Sequence, residues 1–227
     1  MKIYNLKKSL SIIITAFKSE NYILECINSI LNANLINNLN YEILVGIDGC
    51  EETLNKLLNS KIKNKIKIYY NEINQGTYPI RNFLVSESKN ENILFFDSDD
   101  YLKKNFFEET ILKYNNFDIL RYSFIMNIKN KYFKIKEKTP GTFIIKKKIF
   151  LEYGGFKNYR CGSDREFMNK TENIVNEIFI KKNLFYRRVL ETSLTQIEDY
   201  NLKSNYRKKV KLGLEKEQEI IKLKLIF

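Results

Sequence analysis

The chain has 227 residues, a formal charge of +12, 44% hydrophobic residues and no histidine. Its size and apolar content predict one catalytic-size domain, and the absence of histidine excludes Ser-His-Asp and Cys-His catalysis as well as imidazole metal sites. Cys26, Cys50 and Cys161 form no CxxC pair, which argues against a disulfide framework or a thiolate zinc site and favours a reducing cytoplasm.

The basic charge has two interpretations. A polyanionic partner such as nucleic acid, an acidic membrane surface or a phosphorylated substrate would match it. A coding sequence biased toward A and T would also be rich in Lys, Asn, Ile, Tyr and Phe, and the excess Lys would then be solvated. The N-terminal stretch MKIYNLKKSLSIIITAF has too short an apolar run for a membrane-spanning helix and no small-residue cleavage site, so it predicts a buried strand.

The first hundred residues alternate between strand and helix patterns. Apolar runs predict strands at 9–17, 41–47, 65–70 and 93–96, and helical spacing predicts helices at 18–35, 51–58 and 77–88. Ser19 is the predicted cap of the first helix, and Pro79 is tolerated in the first turn of the third. The alternation predicts an α/β fold with a mixed, mostly parallel sheet flanked by helices.

Beyond residue 110 the pattern is less regular. Strands are predicted at 118–128, 132–135, 141–145 and 184–188, and helices at 147–153 and 164–170. The tail at 200–227 is rich in Lys, with apolar residues at Val210, Leu214, Ile221 and Leu225. It predicts a basic amphipathic helix that packs on the body, pairs with another subunit or lies on an anionic membrane surface.

Three aspartates directly follow the fourth strand, in the sequence NILFFDSDDYL. In an extended chain, Asp97 and Asp99 project together while Ser98 and Asp100 turn aside. Two carboxylates about 4 Å apart repel by roughly 4 kcal/mol at an effective dielectric of about 20, and a divalent cation would remove that cost. Oxygen-only ligands favour Mg²⁺ or Mn²⁺, completed by water and substrate phosphates. Asp48 ends another strand, and a parallel sheet would bring it to the same edge.

An EF-hand loop and a purely structural strand end are the alternatives for this cluster. Asp97, Asp99 and Glu108 fall at EF-hand positions one, three and twelve, but Leu102 replaces the glycine at position six and a strand precedes the motif. In the structural alternative the aspartates end the strand, and Asp100 caps a helix that follows it.

These stretches together resemble the family 2 glycosyltransferases, which are inverting, nucleotide-sugar-dependent enzymes of the GT-A fold. The resemblance is carried in order by SIIITAF with Asn21, YEILVGIDGCEET, NEINQGTYPIRN and NILFFDSDDYL. It implies one domain over 1–200, with a nucleotide-sugar-binding half at 1–110 and an acceptor-binding half at 111–200, followed by the basic helical tail at 201–227.

The resemblance implies roles for residues of the first half. Asp48 is similar to the acid that contacts the nucleotide base, and Arg81 lies in the stretch that helps to hold the nucleotide. Thr15 and Phe17 fall where the family lines the uridine pocket. Ile47 departs from the pattern, since many relatives carry an acid there.

The aspartate cluster resembles the DXD motif of the family. Asp97 is then near the ribose and the metal, Asp99 coordinates the metal beneath the diphosphate, and Ser98 between them is a further donor contact. The implied cofactor is Mn²⁺ or Mg²⁺, and the implied donor is a nucleotide-sugar, with a UDP-sugar as the first choice.

The second half resembles the family through GTFIIKKKIFLEYGGF, CGSDREFMNK and FYRRVLETSLT. Asp164 aligns with the general base, although Ser163 replaces the usual Glu beside it, and Glu166 is the reserve candidate. Arg187 or Arg188 could close over the diphosphate, because guanidinium groups bind phosphate oxygens well. In the structural alternatives, Asp164 interacts with a helix dipole and the arginines lie at a solvated strand edge.

The implied reaction transfers a sugar to an acceptor hydroxyl by a metal-dependent, inverting displacement, in polysaccharide or glycoconjugate synthesis. The implied location is the cytoplasm, with the tail as a candidate membrane contact. The alternatives are a nucleic-acid-binding protein, a degenerate nucleotide-binding relative and a sugar nucleotidyltransferase. The aromatic residues fall mostly in apolar strands, which argues against nucleic-acid binding, and FKSENYI lacks the Gly-rich basic loop that would hold a triphosphate.

Overall fold

A mixed sheet with helices packed on it forms the body of the protein. The structure, a computed structural model, describes residues 8–139, 141–191, 193, 196, 198–201, 203–213, 217 and 224–225. The strands are β1 (Ser9–Ala16), β2 (Asn40–Asp48), β3 (Lys67–Asn71), β4 (Asn92–Asp97), β5 (Tyr101–Leu102), β6 (Ile119–Ile128), β7 (Lys131–Ile135), β8 (Phe143–Lys146), β9 (Glu177–Arg188) and β10 (Lys224–Leu225). The α-helices are α1 (Ile23–Leu31), α2 (Glu51–Leu58), α3 (Thr77–Glu87), α4 (Phe106–Glu109), α5 (Lys147–Glu152), α6 (Ser163–Thr171) and α7 (Asn205–Lys211).

The strand order is β10-β3-β2-β1-β4-β8-β6-β9-β5, and β7 pairs with β6 beside this path. Neighbours among β3, β2, β1 and β4 are parallel, whereas β8 is antiparallel to both β4 and β6. The α/β class with a mixed sheet is therefore confirmed. The four adjacent parallel strands β3, β2, β1 and β4 come from the first hundred residues, where the alternation of strand and helix predicted them, and β6 and β9 form a further parallel pair.

The burial of the central strand β1 explains why its sequence is an unbroken apolar run. Ile12, Ile13 and Ile14 are each 0% exposed, because both faces of the strand are covered. Ile12 and Ile14 join a hydrophobic cluster that includes α1, and Ile13 joins a second cluster that includes α3. The alternation of side chains along β1 thus gives the sheet one core on each face.

The first helix begins later than the sequence predicts. The predicted helix starts at Lys18 with Ser19 as its cap, but α1 begins at Ile23 and Ser19 provides no side-chain cap. The Ser19 hydroxyl instead donates to the Phe17 carbonyl oxygen (3.1 Å) and pairs with the Ser98 hydroxyl (2.7 Å). The predicted cap is wrong because this side chain is used in the loop beside the aspartate cluster.

The last long strand is twice as long as predicted. The sequence predicted only 184–188, but β9 extends back to Glu177. Lys181 and Lys182 are exposed at a shift in the register of β9 with β6, and their charges interrupt the apolar pattern. A bulged strand of this kind loses the two-residue period by which a strand is recognised.

The segment after the aspartates is a strand, so Asp100 does not cap a helix there. β5 follows the cluster directly and pairs with β9. The Asp100 carboxylate instead accepts the backbone N–H of Arg188 at 2.9 Å. A strand, β4, also precedes the cluster where an EF-hand has a helix, and the EF-hand alternative is wrong for that reason.

The C-terminal tail is only partly helical in the described residues. α7 ends before Gly213, which has φ +69°, and Lys224–Leu225 forms an antiparallel pair with β3. Val210 is buried, and a Cβ at Gly162 would lie 3.2 Å from its Cγ1 atom. α7 therefore packs on the body at the start of α6. The other tail positions in the amphipathic pattern, Leu214 and Ile221, lie outside the described residues.

None of the helices in the described part of the chain combines the length and the apolar character that a bilayer crossing requires.

The packing of α7 predicts a difference between two neighbouring apolar residues. Val210→Ala should lower the free energy of unfolding by about 1.5 kcal/mol, because it removes two buried carbon atoms. Leu212→Ala is the matched control, since Leu212 is 69% exposed and its truncation should change stability by less than about 0.5 kcal/mol. Urea denaturation measures both, and equal effects would show that α7 does not pack as described.

Candidate functional site

Three strand ends meet at one edge of the sheet. β1 lies between β2 and β4, and all three are parallel. Thr15 is paired with Gly46 on one side and with Asp97 on the other. Thr15, Asp48 and Asp97 therefore share the carboxyl edge of the sheet, where open α/β sheets bind their ligands.

The charged pair Arg81 and Asp97 lies at the centre of this edge. Arg81 Nη2 is 2.6 Å from Asp97 Oδ1, and the Arg81 side chain is only 2% exposed. Arg81 Nη1 donates to the carbonyl oxygen of Gly141 at 3.0 Å, and the guanidinium lies over the ring of Phe95 at 5.3 Å. The Arg81 side chain therefore holds the first aspartate of the cluster and the Gly141 backbone in fixed positions.

Gly141 separates two carboxylates that are 67 residues apart in the sequence. A Cβ atom at Gly141 would lie 3.3 Å from Asp164 Oδ2 and 3.9 Å from Asp97 Oδ2. These two oxygens consequently lie within about 7 Å of each other, next to a position that has no side chain. The structure thus brings the proposed base and the proposed metal ligand to one small gap, which we call the Gly141 gap.

A second buried arginine, Arg121, is hydrogen-bonded to the loop that precedes β8. Arg121 Nη2 donates to the carbonyl oxygen of Thr139 at 2.9 Å, and Arg121 Nη1 lies 3.5 Å from Glu177 Oε2. Arg81 and Arg121 therefore fix the carbonyl groups of residues 139 and 141, on either side of residue 140. This bonding fixes the backbone on which the Gly141 gap lies.

Asp164 lies in the first turn of α6, and its two oxygens have different surroundings. Oδ1 accepts the Tyr78 hydroxyl at 3.0 Å and the backbone N–H of Arg165 at 2.8 Å. Among the described residues, no donor is hydrogen-bonded to Oδ2, which faces the Gly141 gap. The reserve candidate Glu166 instead lies 3.7 Å from the Lys157 ammonium.

The aspartate cluster forms a turn, so the extended geometry expected from the sequence is wrong. The backbone N–H of Asp100 donates to the Asp97 carbonyl oxygen at 3.2 Å, which closes a tight turn after β4. Ser98 is buried and bonds to Ser19, and this contact ties the turn to the loop after β1. Ser98 therefore has a structural role in the turn, through its hydrogen bond to Ser19.

Burial and neighbouring negative charges raise the pKa values of Asp99 and Asp100. Burial, followed by the charge of Asp97, raises the pKa of Asp99 to about 6. Burial and the charges of Asp99 and Asp97 raise the pKa of Asp100 well above its usual range. The charges of Arg187 and Arg188 oppose the shift of Asp99, and the charge of Arg187 and the backbone N–H of Arg188 oppose that of Asp100, but only in part. The ionised forms of both acids are thus disfavoured, first by burial and then by their negative neighbours.

The two candidate phosphate-binding arginines differ in their availability. The Arg188 guanidinium forms an ion pair with Glu25, donates to the Asp99 carbonyl oxygen at 2.8 Å and lies over the ring of Tyr101 at 4.7 Å. Arg187 is partly buried, and no carboxylate within the described ranges lies within 4.0 Å of it. Arg188 therefore fastens β9 to the turn, and Arg187 is the guanidinium with bonding capacity left.

Asp48 organises the loop that leads into α3. Its Oδ1 accepts the N–H of Gln75 at 2.8 Å, and its Oδ2 accepts the N–H of Gly76 at 2.7 Å. Burial raises the pKa of Asp48, and these two backbone donors oppose that effect. Both carboxylate oxygens are thus bonded to the loop, and a nucleotide base at this edge would meet the loop that Asp48 shapes.

The two residues predicted to line a uridine pocket lie at the end of β1. Thr15 is nearly buried, whereas Phe17 is 42% exposed and carries the Lys18 ammonium 5.3 Å from its ring centre. The exposed ring offers an apolar face at the same edge as Asp48. The neighbouring departure, Ile47, is fully buried in the α1-side core, so an acid there would be incompatible with this packing.

The donor set fits an open cation site better than a closed cage. Asp97 and Asp99 supply only oxygen atoms, and a cation would favour the ionised Asp99 carboxylate that burial and the charge of Asp97 disfavour. Within the described residues, no group of three or more Asp, Glu, Cys or His side chains could enclose a metal. Two carboxylates with the remaining positions filled by water and phosphate are the arrangement that Mg²⁺ typically adopts.

Sequence reasoning missed Gly141 and Tyr78. Gly141 opens the resembling stretch GTFIIKKKIFLEYGGF, but the sequence assigned it no role, because that role depends on two carboxylates that only the fold brings together. Tyr78 lies inside the stretch NEINQGTYPIRN, and an aromatic residue in the first turn of a helix is more often a core residue than part of a site. Neither residue could have been chosen without knowing where α6 packs.

Comparison with known proteins gives the same family that the sequence stretches resemble. Residues 11–189 match the family model described as "Glycosyl transferase family 2". The chain belongs to this family. The match covers both carboxylates of the Gly141 gap, as well as Arg187 and Arg188.

Several curated glycosyltransferases are similar to this chain. The poly(ribitol-phosphate) beta-N-acetylglucosaminyltransferase TarS of Staphylococcus aureus is 25% identical over 187 residues, which cover 76% of this chain and 32% of TarS. A poly(ribitol-phosphate) beta-glucosyltransferase of Bacillus spizizenii is 29% identical over 168 residues, covering 69% of this chain and 26% of that enzyme. This family 2 chain thus spans at most about a third of the length of these relatives.

Solved structures of S. aureus TarS share the fold. TarS 1–349 in complex with UDP-GlcNAc matches with a TM-score of 0.70 and 20% identity, over 82% of this chain and 60% of that one. The complex with UDP matches with a TM-score of 0.65 and 19% identity, over 91% and 70% of the two chains. The predicted GT-A fold of this family 2 member is confirmed.

The pKa of Asp99 predicts a pH-dependent effect of removing its charge. In metal-free protein at pH 8, Asp99→Asn should raise the free energy of unfolding by about 2 kcal/mol, because the ionised carboxylate is disfavoured in the fold. The unfolded pKa is about 4 and the folded value about 6, so the gain should shrink as the pH falls through this window and be absent near pH 4. Urea denaturation in EDTA at pH 8 and pH 5 measures it. A variant less stable than the wild type at pH 8 would contradict this assignment.

The width of the Gly141 gap predicts that one methyl group blocks it. Gly141 does not have a positive φ angle, so Gly141→Ala should fold. Its methyl group would crowd Asp164 Oδ2 at 3.3 Å, which would have to shift by a few tenths of an ångström, and would touch Asp97 Oδ2 at 3.9 Å. We expect turnover of a sugar nucleotide to fall at least about 100-fold, because small displacements of reacting groups carry costs of this size. UDP affinity should change little. Unaltered turnover in a folded Gly141→Ala protein would show that the reaction occurs elsewhere.

Proposed function

We propose that the protein transfers a sugar from a nucleotide-sugar donor to an acceptor hydroxyl group. The observation that carries this proposal is that Asp164 Oδ2 and Asp97 Oδ2 both adjoin the Gly141 gap, within about 7 Å of each other. A base on one side and a phosphate-holding acid on the other are what a single displacement at a sugar carbon requires. Inversion at that carbon follows if the hydroxyl attacks from the Asp164 side.

The proposed donor is a UDP-sugar. TarS, whose fold this chain shares, has been solved with UDP-GlcNAc, and the relatives' names specify N-acetylglucosamine and glucose as transferred sugars. In this chain the exposed ring of Phe17 and the loop shaped by Asp48 flank the same sheet edge, where they would receive the base. The diphosphate would then lie near the aspartate turn.

The proposed cofactor is Mn²⁺ or Mg²⁺, with Asp99 and Asp97 Oδ2 as its protein ligands. Asp97 Oδ1 is already occupied by Arg81, and only its second oxygen is available to a cation. When bound, the ion would supply positive charge where the leaving diphosphate gains negative charge. Arg187, which lies close enough to lower the pKa of Asp99, would add a guanidinium contact to the same phosphate oxygens.

Asp164 is the proposed general base, and the structure favours it over Glu166. Asp164 Oδ2 faces the gap and has hydrogen-bonding capacity to accept the proton of an acceptor hydroxyl. Glu166 lies beside Lys157. Ser163, which replaces the usual Glu beside the base, donates its hydroxyl to the Lys157 carbonyl oxygen at 2.6 Å, so it stabilises the start of α6.

The proposed acceptor is a glycan or a polyol phosphate polymer. Two of the relatives are named for poly(ribitol-phosphate), a polyanion, and the charge of +12 on this chain suits an acceptor of that kind. We leave membrane contact by the tail out of this proposal, because Val210, one of its apolar residues, is buried against the body.

The test separates donor binding from chemistry with two variants. The wild-type protein should release UDP from UDP-GlcNAc or UDP-glucose in the presence of Mn²⁺ and should lose that activity in EDTA. Asp99→Asn should lose Mn²⁺-dependent UDP binding, measured by calorimetry. Asp164→Asn should bind UDP normally but cleave the UDP-sugar at least about 100-fold more slowly. Glu166→Gln is the matched control and should remain active.

Three results would contradict the proposal. The first is a wild-type protein that hydrolyses no member of a panel of nucleotide-sugars. The second is full activity in Asp164→Asn together with loss of activity in Glu166→Gln, which would reassign the base. The third is UDP release that is equal in Mn²⁺ and EDTA, which would remove the cation from the account.

A further inference from the structure

We propose that Tyr78 is a positioning residue that determines which oxygen of Asp164 acts as the base. This inference rests on the proposed function and goes beyond it, because Tyr78 itself would touch neither the donor nor the acceptor. It follows from the bonds of the Tyr78 hydroxyl and from the place of Tyr78 on α3.

The Tyr78 hydroxyl group links two points of the segment that begins α6. It donates to Asp164 Oδ1 at 3.0 Å and accepts the backbone N–H of Gly162 at 3.0 Å. The acceptor bond from Gly162 fixes the direction of the hydroxyl, so that its single proton points at Asp164. The Tyr78 side chain is buried, and its ring lies 5.3 Å from that of Phe156.

Occupation of Oδ1 makes the two oxygens of the carboxylate unequal. With the Tyr78 hydroxyl and the N–H of Arg165 both bonded to Oδ1, the carboxylate cannot rotate without breaking two hydrogen bonds. Oδ2 is thereby held toward Gly141, within about 7 Å of Asp97 Oδ2. Tyr78 thus selects Oδ2 as the oxygen that receives the proton.

The position of Tyr78 on α3 relates the base to the aspartate turn. Tyr78 and Arg81 are three residues apart on α3, so they lie on the same face of the helix. Tyr78 holds Asp164, and Arg81 holds Asp97 together with the Gly141 carbonyl group. One helix face therefore sets the distance between the two carboxylates of the Gly141 gap.

The experiment compares Tyr78→Phe with Tyr122→Phe in the full chain. Tyr122 is also fully buried, and its hydroxyl has no hydrogen-bond partner in the described residues, so its removal should leave kcat unchanged. With the UDP-sugar that the wild-type protein hydrolyses, Tyr78→Phe should lower kcat by about 10- to 100-fold, the factor expected for a hydrogen bond to a charged group. The donor KM should stay within about twofold, because the donor contacts are untouched.

A double variant distinguishes positioning from a structural role. If Tyr78 acts through Asp164, adding Tyr78→Phe to Asp164→Asn should leave the residual rate nearly unchanged. If Tyr78 served stability alone, Tyr78→Phe would lower the urea midpoint but leave kcat of the folded protein at the wild-type value.

The outcomes also separate this inference from the proposed function. Wild-type kcat in Tyr78→Phe, or a full additional loss in the double variant, would overturn the positioning role while the transferase proposal stood. A wild-type protein that releases no nucleotide from any donor would overturn both. A loss of kcat in Tyr78→Phe that disappears in the Asp164→Asn background supports the inference.

Discussion

The site depends on one ion pair, which joins the buried Arg81 side chain to the partly exposed Asp97. A guanidinium group that is almost completely removed from water requires a charged partner, and removal of one partner from such a pair typically costs about 3 to 5 kcal/mol. Arg81 meets this requirement with Asp97 Oδ1, the Gly141 carbonyl oxygen and the rings of Phe95 and Phe156. These contacts fix the end of β4 relative to the loop before β8. The position of the aspartate turn is thus set by the core of the protein.

The same helix joins the two halves of the chain. Three residues of α3 bind the second half: Tyr78 contacts Gly162 and Asp164, Arg81 contacts Gly141, and Asn82 forms two hydrogen bonds with the backbone of Phe156. The proposed nucleotide-binding edge and the proposed base are therefore held by one element of the fold. Their spacing is fixed by a single α-helix whose other face packs on the sheet.

The sequence predicted the parallel half of the fold well because its signals are local. Strands β1, β2 and β4 are buried on both faces and read as apolar runs, and their order along the chain restricts how they can pair. The first part of the long strand β9 was missed, because Lys181 and Lys182 interrupt the apolar pattern at a register shift. The tail was predicted as one helix, but Lys224–Leu225 forms a strand pair that only the fold provides.

The sequence singled out the aspartate cluster and Asp164 because they resemble the acids of a known family, and their roles stay predictions. The sequence did not predict their geometry correctly. The turn at Asp97–Asp100 is closed by a backbone hydrogen bond that no side-chain pattern reveals. The hydrogen bond between Ser98 and Ser19 likewise depends on that turn and cannot be read from the sequence. Gly141 and Tyr78 have no signal of their own, because each matters only through residues far away in the sequence.

Crystals of the protein with UDP and Mn²⁺ provide the most direct test, since anomalous scattering locates manganese without reference to any side-chain assignment. The account predicts an anomalous peak bonded to Asp99, with the diphosphate against it and its outer phosphate next to the Gly141 gap, opposite Asp164 Oδ2. A manganese peak and a diphosphate bound away from both Asp99 and Gly141 would contradict it.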